Sequence, residues 1–449
     1  MQFITLLDYL LLPFYLGLIY IIALSFRNKY YPPEHPWRKY YLPALHVKII
    51  GAVFIGLVYQ YYYGGGDTGY YFYQAKIVNR AISDNPTKGL MLMLHIPNWY
   101  DGDYQQYISQ MEWYGGMNMY LVIALSAFIN LFTFNTFLPT SVVFAFLSFL
   151  GSWAMFRTFA QLYPTLLRQV ALALLFIPSC FIWGSGIFKD TLCMAALGWL
   201  VYSTFQMLIQ RNFSLRNLLT FILAFYILAI VKIYILLAFV PAMVLWLVFS
   251  YAHKLPNQIA RRALRLMLIP VALLCLVALS QHFSAELGGY SLDNISKTAE
   301  VTRSYVYEES GNEGSGYDLG VIDPSLSGML RAFPVALGTA LFRPFLWESK
   351  KIIVLMNAIE ACLFLIITLR ILGRLGIRKV AKAIAEDPNI QFFLVFTIIF
   401  GFAVGLTSGN FGSLSRYRIP CLPLFALALL LIYYQSDHKD RPLMPLLKF

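Results

Sequence analysis

The 449-residue sequence predicts an all-α fold, a polytopic bundle of transmembrane helices, and three observations predict it. Hydrophobic residues make up 59% of the chain and charged residues only 12%, about half the usual share of a soluble domain. Apolar runs of about 18 residues or more recur from end to end, the length that spans the hydrocarbon core. Lys and Arg gather in one set of inter-helix segments and are outnumbered by acids in another. Inside lipid a backbone must satisfy its own hydrogen bonds, so these runs are helices; the alternating pattern of a barrel strand is absent.

The expected spans are residues 5–26, 43–63, 139–157, 169–184, 190–209, 217–231, 233–250, 264–281, 351–369, 390–407 and 419–434, about eleven crossings. The first carries Asp8 but neither a basic n-region nor a small-residue cleavage site, and is read as a retained helix. Segments 27–48, 157–168, 210–217, 250–265, 370–389 and 435–449 together hold 21 Lys/Arg against 5 Asp/Glu, whereas 64–116 and 281–350 hold 8 against 14. By the positive-inside rule the first set faces the cytoplasm and the two long segments face out. The net charge of +12 therefore marks topology and does not call for a nucleic-acid partner. Run 117–134 is also apolar, but counting it as a crossing would place Arg157, Arg168 and every later basic loop outside. It is expected to lie along the outer leaflet, one of the juxtamembrane helices.

Three regions follow: 1–42, an N-terminal helix and a basic inner loop; 43–250, a transmembrane module with its first outer loop at 64–116; and 251–449, further helices with an outer loop at 281–350. Within 64–116, Tyr71, Ala75, Val78 and Ile82 share a helical face, as a helix on the membrane surface requires. The stretch from Glu308 to Asp323 is rich in Gly, Ser and acid and is expected to be a mobile loop. Ile377, Val380, Ala381 and Ile384 alternate with Arg378, Lys379 and Lys382, the pattern of an interfacial amphipathic helix that meets anionic lipid.

A few ionisable residues sit where chemistry is feasible. Asp67, in Gly64-Gly65-Gly66-Asp67-Thr68-Gly69, lies at the outer end of a helix on a turn that lets backbone approach a ligand. Such a carboxylate is placed to take a proton from a hydroxyl, and equally placed to cap the helix that follows. Lys189 and Asp190 close the short turn Gly184-Ser185-Gly186-Ile187-Phe188, as a binding pair or as a snorkelling lysine beside an acid at a helix N-terminus. Lys232 interrupts an apolar stretch from Phe221 to Phe249, either meeting a phosphate or marking a helix end. Arg343, Arg416 and Arg418 defy the acidic trend of the outer side. A guanidinium fork matches phosphate oxygens, while arginines beside Trp347 and Tyr417 also serve as interface anchors. The six histidines show no metal spacing, the five cysteines form no CxxC, and no Walker A, GxSxG or HExxH motif occurs.

Taken together these residues resemble the GT-C superfamily of polytopic glycosyltransferases, which use polyprenyl-phosphate- or diphosphate-linked donors. In that family an acidic residue in the first outer loop is the catalytic base, and Asp67 in Gly66-Asp67-Thr68-Gly69-Tyr70-Tyr71 occupies the matching place. Residues 70–83 and 103–134 match its surface helices. Ala154-Met155-Phe156-Arg157 is similar to its helix ending in a basic inner loop, and Ser185-Gly186-Ile187-Phe188-Lys189-Asp190 to its Ser-x-x-x-(Arg/Lys)-Asp turn. The resemblance covers roughly 43–250. It departs where Thr68 replaces the second acid of the usual pair and in the additional helix 5–26.

The resemblance implies an inverting transfer at the outer face of a bacterial inner (plasma) membrane, from a lipid-linked sugar donor to a glycan or lipid acceptor among membrane lipids. Asp67 would be the base, with Lys189, Asp190, Lys232, Arg343, Arg416 and Arg418 binding substrate and loop 283–330 closing over it. No cofactor is implied, and a divalent metal has no support in the sequence. A polysaccharide polymerase or ligase, a lipid-linked glycan transporter or flippase, or a non-catalytic subunit carries the same features. Against the transporter, mid-membrane positions read as almost free of charge, Glu360 excepted.

The charge pattern makes a direct prediction about topology. Cysteines introduced at Ser83 and Ser310 are expected to react with a membrane-impermeant thiol reagent in intact cells, and one at Asn257 is not. Labelling of Asn257 alone reverses the orientation.

Overall fold

The computed structural model describes residues 2–252 and 326–436, with positions 267, 270, 274, 278, 301, 316, 317 and 443. The expected span 264–281 and the expected mobile loop 308–323 lie outside these residues apart from isolated positions. Among the described residues every regular element is helical, with one isolated bridge between Gly316 and Asn410.

In chain order the helices are α1 (Leu6–Tyr30), α2 (Arg38–Leu57), α3 (Asp67–Asp84), α4 (Pro86–Met93), α5 (Gln105–Ile108), α6 (Met117–Phe132), α7 (Phe137–Leu162), α8 (Leu167–Leu175), α9 (Pro178–Trp183), α10 (Lys189–Thr204) and α11 (Leu215–Ala252), then α12 (Leu326–Phe342), α13 (Ile352–Glu386), α14 (Pro388–Thr407), α15 (Phe411–Tyr417) and α16 (Leu422–Tyr434). Seven of these, two with short π-helical extensions, are long and apolar enough to cross a membrane, and the pair α15–α16, bent by 68°, makes an eighth if it is one span. The protein is a multi-pass membrane protein. Helix α1 exposes Leu6, Leu10, Phe14 and Ile21, with Leu6 74% exposed, a contiguous apolar face that lipid covers and water does not tolerate.

Local chemistry explains where the spans differ from the hydrophobic runs. Run 169–184 is not one crossing, because Pro178 lacks an N–H and disfavours a helical residue before it, which separates α8 from α9. Runs 217–231 and 233–250 are two helical stretches of α11, parted as expected by a kink at Lys232, whose φ −151° and ψ 77° are not helical. The expected amphipathic helix is the last part of α13, set off by Gly376 at φ +74°, with Arg378, Lys379 and Lys382 exposed. Run 117–134 forms α6, whose 16 residues span about 24 Å, short of the ~30 Å hydrocarbon core. The end of the expected outer loop 281–350 is the apolar helix α12.

Chain contacts divide the protein into two compact units, with boundaries different from the three regions expected above. Unit 1 holds Met1–Leu162, Cys180–Thr204 and Phe213–Lys232; unit 2 holds Tyr163–Ser179, Phe205–Asn212 and Ile233–Phe449. In unit 1, α7 packs along α10 and α2, and α3 packs on α6 and α4. The face of α3 expected on the membrane surface is thereby covered: Tyr71, Ala75 and Val78 are buried. Helix α1 is tied in at its start, where the Phe3 and Ile4 amides donate to Gln60 Oε1 (2.9 and 3.1 Å) and Asp8 Oδ1 accepts the Leu138 amide (2.8 Å) at the head of α7.

In unit 2, α14 packs against α12 and α16. At one end of α14, Asp387 caps the helix through the Asn389 amide and accepts from the Tyr163 hydroxyl (2.7 Å), which in turn accepts from Asn389 Nδ2 (2.7 Å). The Trp246 indole donates to Asn389 Oδ1 (2.8 Å) and stacks on Phe392.

One close helix approach in unit 1 is testable. A Cβ on Gly198 of α10 would lie 2.0 Å from the Gly151 carbonyl oxygen of α7, so Gly198→Ala forces the pair apart. It is expected to cost about 1–3 kcal/mol, read as a lower thermal midpoint in detergent. Gly17→Ala, with nothing within 4 Å, is expected to leave the midpoint unchanged or raise it.

Candidate functional site

Unit 1 holds four of the seven candidate residues, and the Tyr62 end of α2 organises them. Helix α2 closes in a π-helical turn, Val58–Tyr62, a distortion often found at functional sites. The chain leaves it through Gly64, Gly65 and Gly66. Gly66 has φ +125°, a backbone region open to glycine, and a Cβ there would lie 2.6 Å from the Tyr59 ring. Gly66 is the N-cap of α3, so Asp67 is the first helical residue. The carboxylate therefore sits in the first turn, where the helix dipole favours a negative charge, rather than in the capping position that was its alternative reading. Asp67 is half-buried. Its neighbour Thr68 is fully buried with no hydrogen-bond partner for its hydroxyl, a cost of about 1–3 kcal/mol that a ligand or a water would remove.

Tyr59 also reaches the second candidate turn. Its ring centroid lies 5.5 Å from that of Phe188, and a Cβ on Gly186 would sit 3.0 Å from Ile55 Cγ2. The turns that carry Asp67 and Lys189 are thus packed on the same end of α2, each within one residue of a group in contact with Tyr59. Lys189 opens α10 and is half-buried. Asp190 follows it into the interior, its side chain 2% exposed, and accepts the ammonium of Lys232, whose side chain is 5% exposed. Lys232 stands where α11 loses its helical geometry. These two residues were expected to bind substrate. Their charges instead meet each other, and a phosphate would have to part them.

In unit 2, the guanidinium of Arg343 is held by Glu348, with Nε 3.1 and 3.2 Å from the two carboxylate oxygens. It also lies 5.1 and 5.2 Å from the rings of Tyr317 and Phe411, which stack on each other. Arg418 is 0% exposed and donates to the carbonyls of Ala340 (3.2 Å), Arg343 (2.6 Å) and Asn357 (3.4 Å), with Glu360 3.9 Å away. The phosphate expected at Arg343 and Arg418 meets a guanidinium neutralised in the first case and enclosed in the second. Arg416, at the end of α15, is half-buried and keeps solvent-accessible surface.

Sequence reading missed Lys48 as a buried group, because it sits at the edge of a basic segment. It lies inside α2, 3% exposed, and donates to Ser148 Oγ (2.9 Å) and the carbonyls of Cys180 (3.1 Å) and Gly184 (3.0 Å). Glu360 was noticed, but its use was not: it accepts the amide and hydroxyl of Ser179 (2.8 and 2.6 Å). Lys48, Asp190, Lys232, Glu360 and Arg418 are all buried within the protein. Among the described residues no three His, Cys, Asp or Glu side chains are grouped to hold a metal ion. No protein-family model, no curated protein sequence and no solved structure matches the chain.

The Asp190–Lys232 pair makes a stability prediction. Lys232→Met leaves a buried carboxylate without its cation and is expected to cost about 3–5 kcal/mol in detergent unfolding. The double variant Asp190→Asn, Lys232→Met is expected to recover most of that loss. Equal losses in the single and double variants show that the pair does not couple.

Proposed function

We propose that the chain is a membrane glycosyltransferase of the GT-C type, acting at the outer face of a bacterial inner membrane on a polyprenyl-phosphate- or diphosphate-linked sugar. The observation that carries this is the convergence of the Asp67 turn and the Lys189 turn on Tyr59 at one end of unit 1. It supplies an accessible carboxylate and an accessible ammonium on neighbouring turns, with the unsatisfied Thr68 hydroxyl beside the carboxylate.

In this proposal Asp67 takes the proton of the acceptor hydroxyl as that oxygen attacks the anomeric carbon. The bond from that carbon to the donor phosphate breaks with inversion. Lys189 stabilises the negative charge that develops on the leaving phosphate. Asp190 and Lys232 set the position of the α10 start rather than touch substrate. In unit 2, Arg416 is the arginine that keeps a surface for a phosphate.

A second reading has one observation in its favour. Buried Lys48, Asp190 and Lys232 of unit 1 suit a transporter of lipid-linked glycans, which lines its path with polar groups. A polymerase or ligase acting on lipid-diphosphate glycans shares the chemistry of the first reading.

Asp67→Asn separates them. Asn keeps the size of the side chain but accepts no proton at neutral pH. Sugar transfer from a lipid-linked donor is expected to fall ~10²–10⁴-fold, with thermal midpoint and donor affinity nearly unchanged. Full transfer by a folded Asp67→Asn protein removes Asp67 as the base, and lipid-linked donor bound by the parent without any transfer moves the transporter ahead.

A further inference from the structure

Outside the region just described, unit 1 has a second concentration of charge where α1 ends and α2 begins. A cleft of about 660 Å³ lies there, lined by Arg27, Glu34, His35, Arg38, Lys39 and His46 among its residues. Its charge is not compensated from within. Among the described residues none of Arg27, Arg38 and Lys39 forms an ion pair, and Glu34 is exposed and pairs with none of them.

The two guanidinium groups converge instead on one neutral oxygen. Asn28 Oδ1 accepts from Arg27 (3.4 Å from Nε, 3.2 Å from Nη2) and from Arg38 Nη2 (2.9 Å), while Arg38 Nη1 donates to the Tyr31 carbonyl (2.5 Å). Two like charges held on one amide oxygen repel, and an anion between them relieves that repulsion. His35 adds a neutral donor. Its Nδ1 accepts the Trp37 amide (3.2 Å), so the neutral ring carries its proton on Nε2. Burial holds the His35 pKa below its ordinary value, which keeps that neutral form at physiological pH.

A cleft of similar size in unit 2 shows the contrast. It is lined by Lys379, Lys382, Glu386 and Asp387, and there the charges answer one another: Lys382 lies 3.8 Å from Glu386, and Asp387 accepts from Tyr163 and Gln435.

We propose that the cleft between α1 and α2 is a phosphate-binding site, in which Arg27, Arg38 and Lys39 hold a phosphate group of a membrane lipid or of a soluble molecule. The site is separate from Asp67 and Lys189 and stands or falls without them.

The test uses the full-length protein in two arms. In neutral detergent, inorganic phosphate is titrated by calorimetry at constant ionic strength. In nanodiscs of phosphatidylcholine with a minority of phosphatidylglycerol, retained lipid is counted by native mass spectrometry. Binding of phosphate identifies a soluble source and retention of phosphatidylglycerol a lipid headgroup; either supports the site, provided Arg27→Gln with Lys39→Gln weakens it at least ~10-fold, the scale of a lost charge-assisted bond. That variant spares Arg38, whose bond to Tyr31 helps hold the turn. Arg38→Gln, with its melting checked, is a second reading of the same loss. The proposal is overturned if neither probe binds the parent, if the variants bind as the parent does, or if Lys379→Gln with Lys382→Gln abolishes binding equally.

Discussion

Lipid offers no hydrogen bonds, and that constraint governs where this chain places its charges. Its helices are repeatedly broken, and each break frees backbone groups that must find partners inside the protein. Ionisable side chains supply many of them. Asp8 takes the amide at the head of α7, Glu360 takes the Ser179 amide near the start of α9, and Lys48 covers two carbonyls at the far end of α9. Arg418 gathers three carbonyls from the end of α12, the segment after it and α13. Each of these charges is bonded to buried backbone groups that would be costly to leave without a partner.

The same constraint sets which candidate residues remain available for substrate. Arg343 is spent on Glu348, and Lys232 on Asp190. In unit 1 two candidate residues keep solvent-accessible surface, the acid Asp67 and the cation Lys189, on turns that share a contact with Tyr59. A transfer reaction needs a proton acceptor and a cation for the leaving group, and little more from the protein beyond positioning and exclusion of water. Gly66 lets the Asp67 turn come so near the tyrosine, since a side chain there would meet its ring.

Much of the fold was legible in the sequence because apolar length alone predicts a membrane helix. What was not legible were the places where a local rule interrupts that length. Pro178 splits one run that apolar length alone reads as a single span, whereas the break at Lys232 was announced by its charge. The acid of the candidate site was visible because a run of three glycines announces an unusual turn. The arginines were harder. Arg416 and Arg418 look equivalent in sequence, yet two residues at ~100° per residue fall nearly on opposite sides of a helix, so one faces inward and the other does not. Which one turns inward depends on carbonyls contributed by residues 61 to 78 positions away, and no local pattern encodes that.

The bond from Leu138 to Asp8 ties residues 130 positions apart, and it bears on how the protein is made. During synthesis α1 enters the membrane long before α7 exists, so one oxygen of the Asp8 carboxylate waits without its final partner while more than a hundred residues are added. Thr5 satisfies the other oxygen locally in the meantime. Until then α1 is held by α2, through the Phe3 and Ile4 amides on Gln60. The bond that joins α1 to α7 thus forms only once the chain has been made past residue 138.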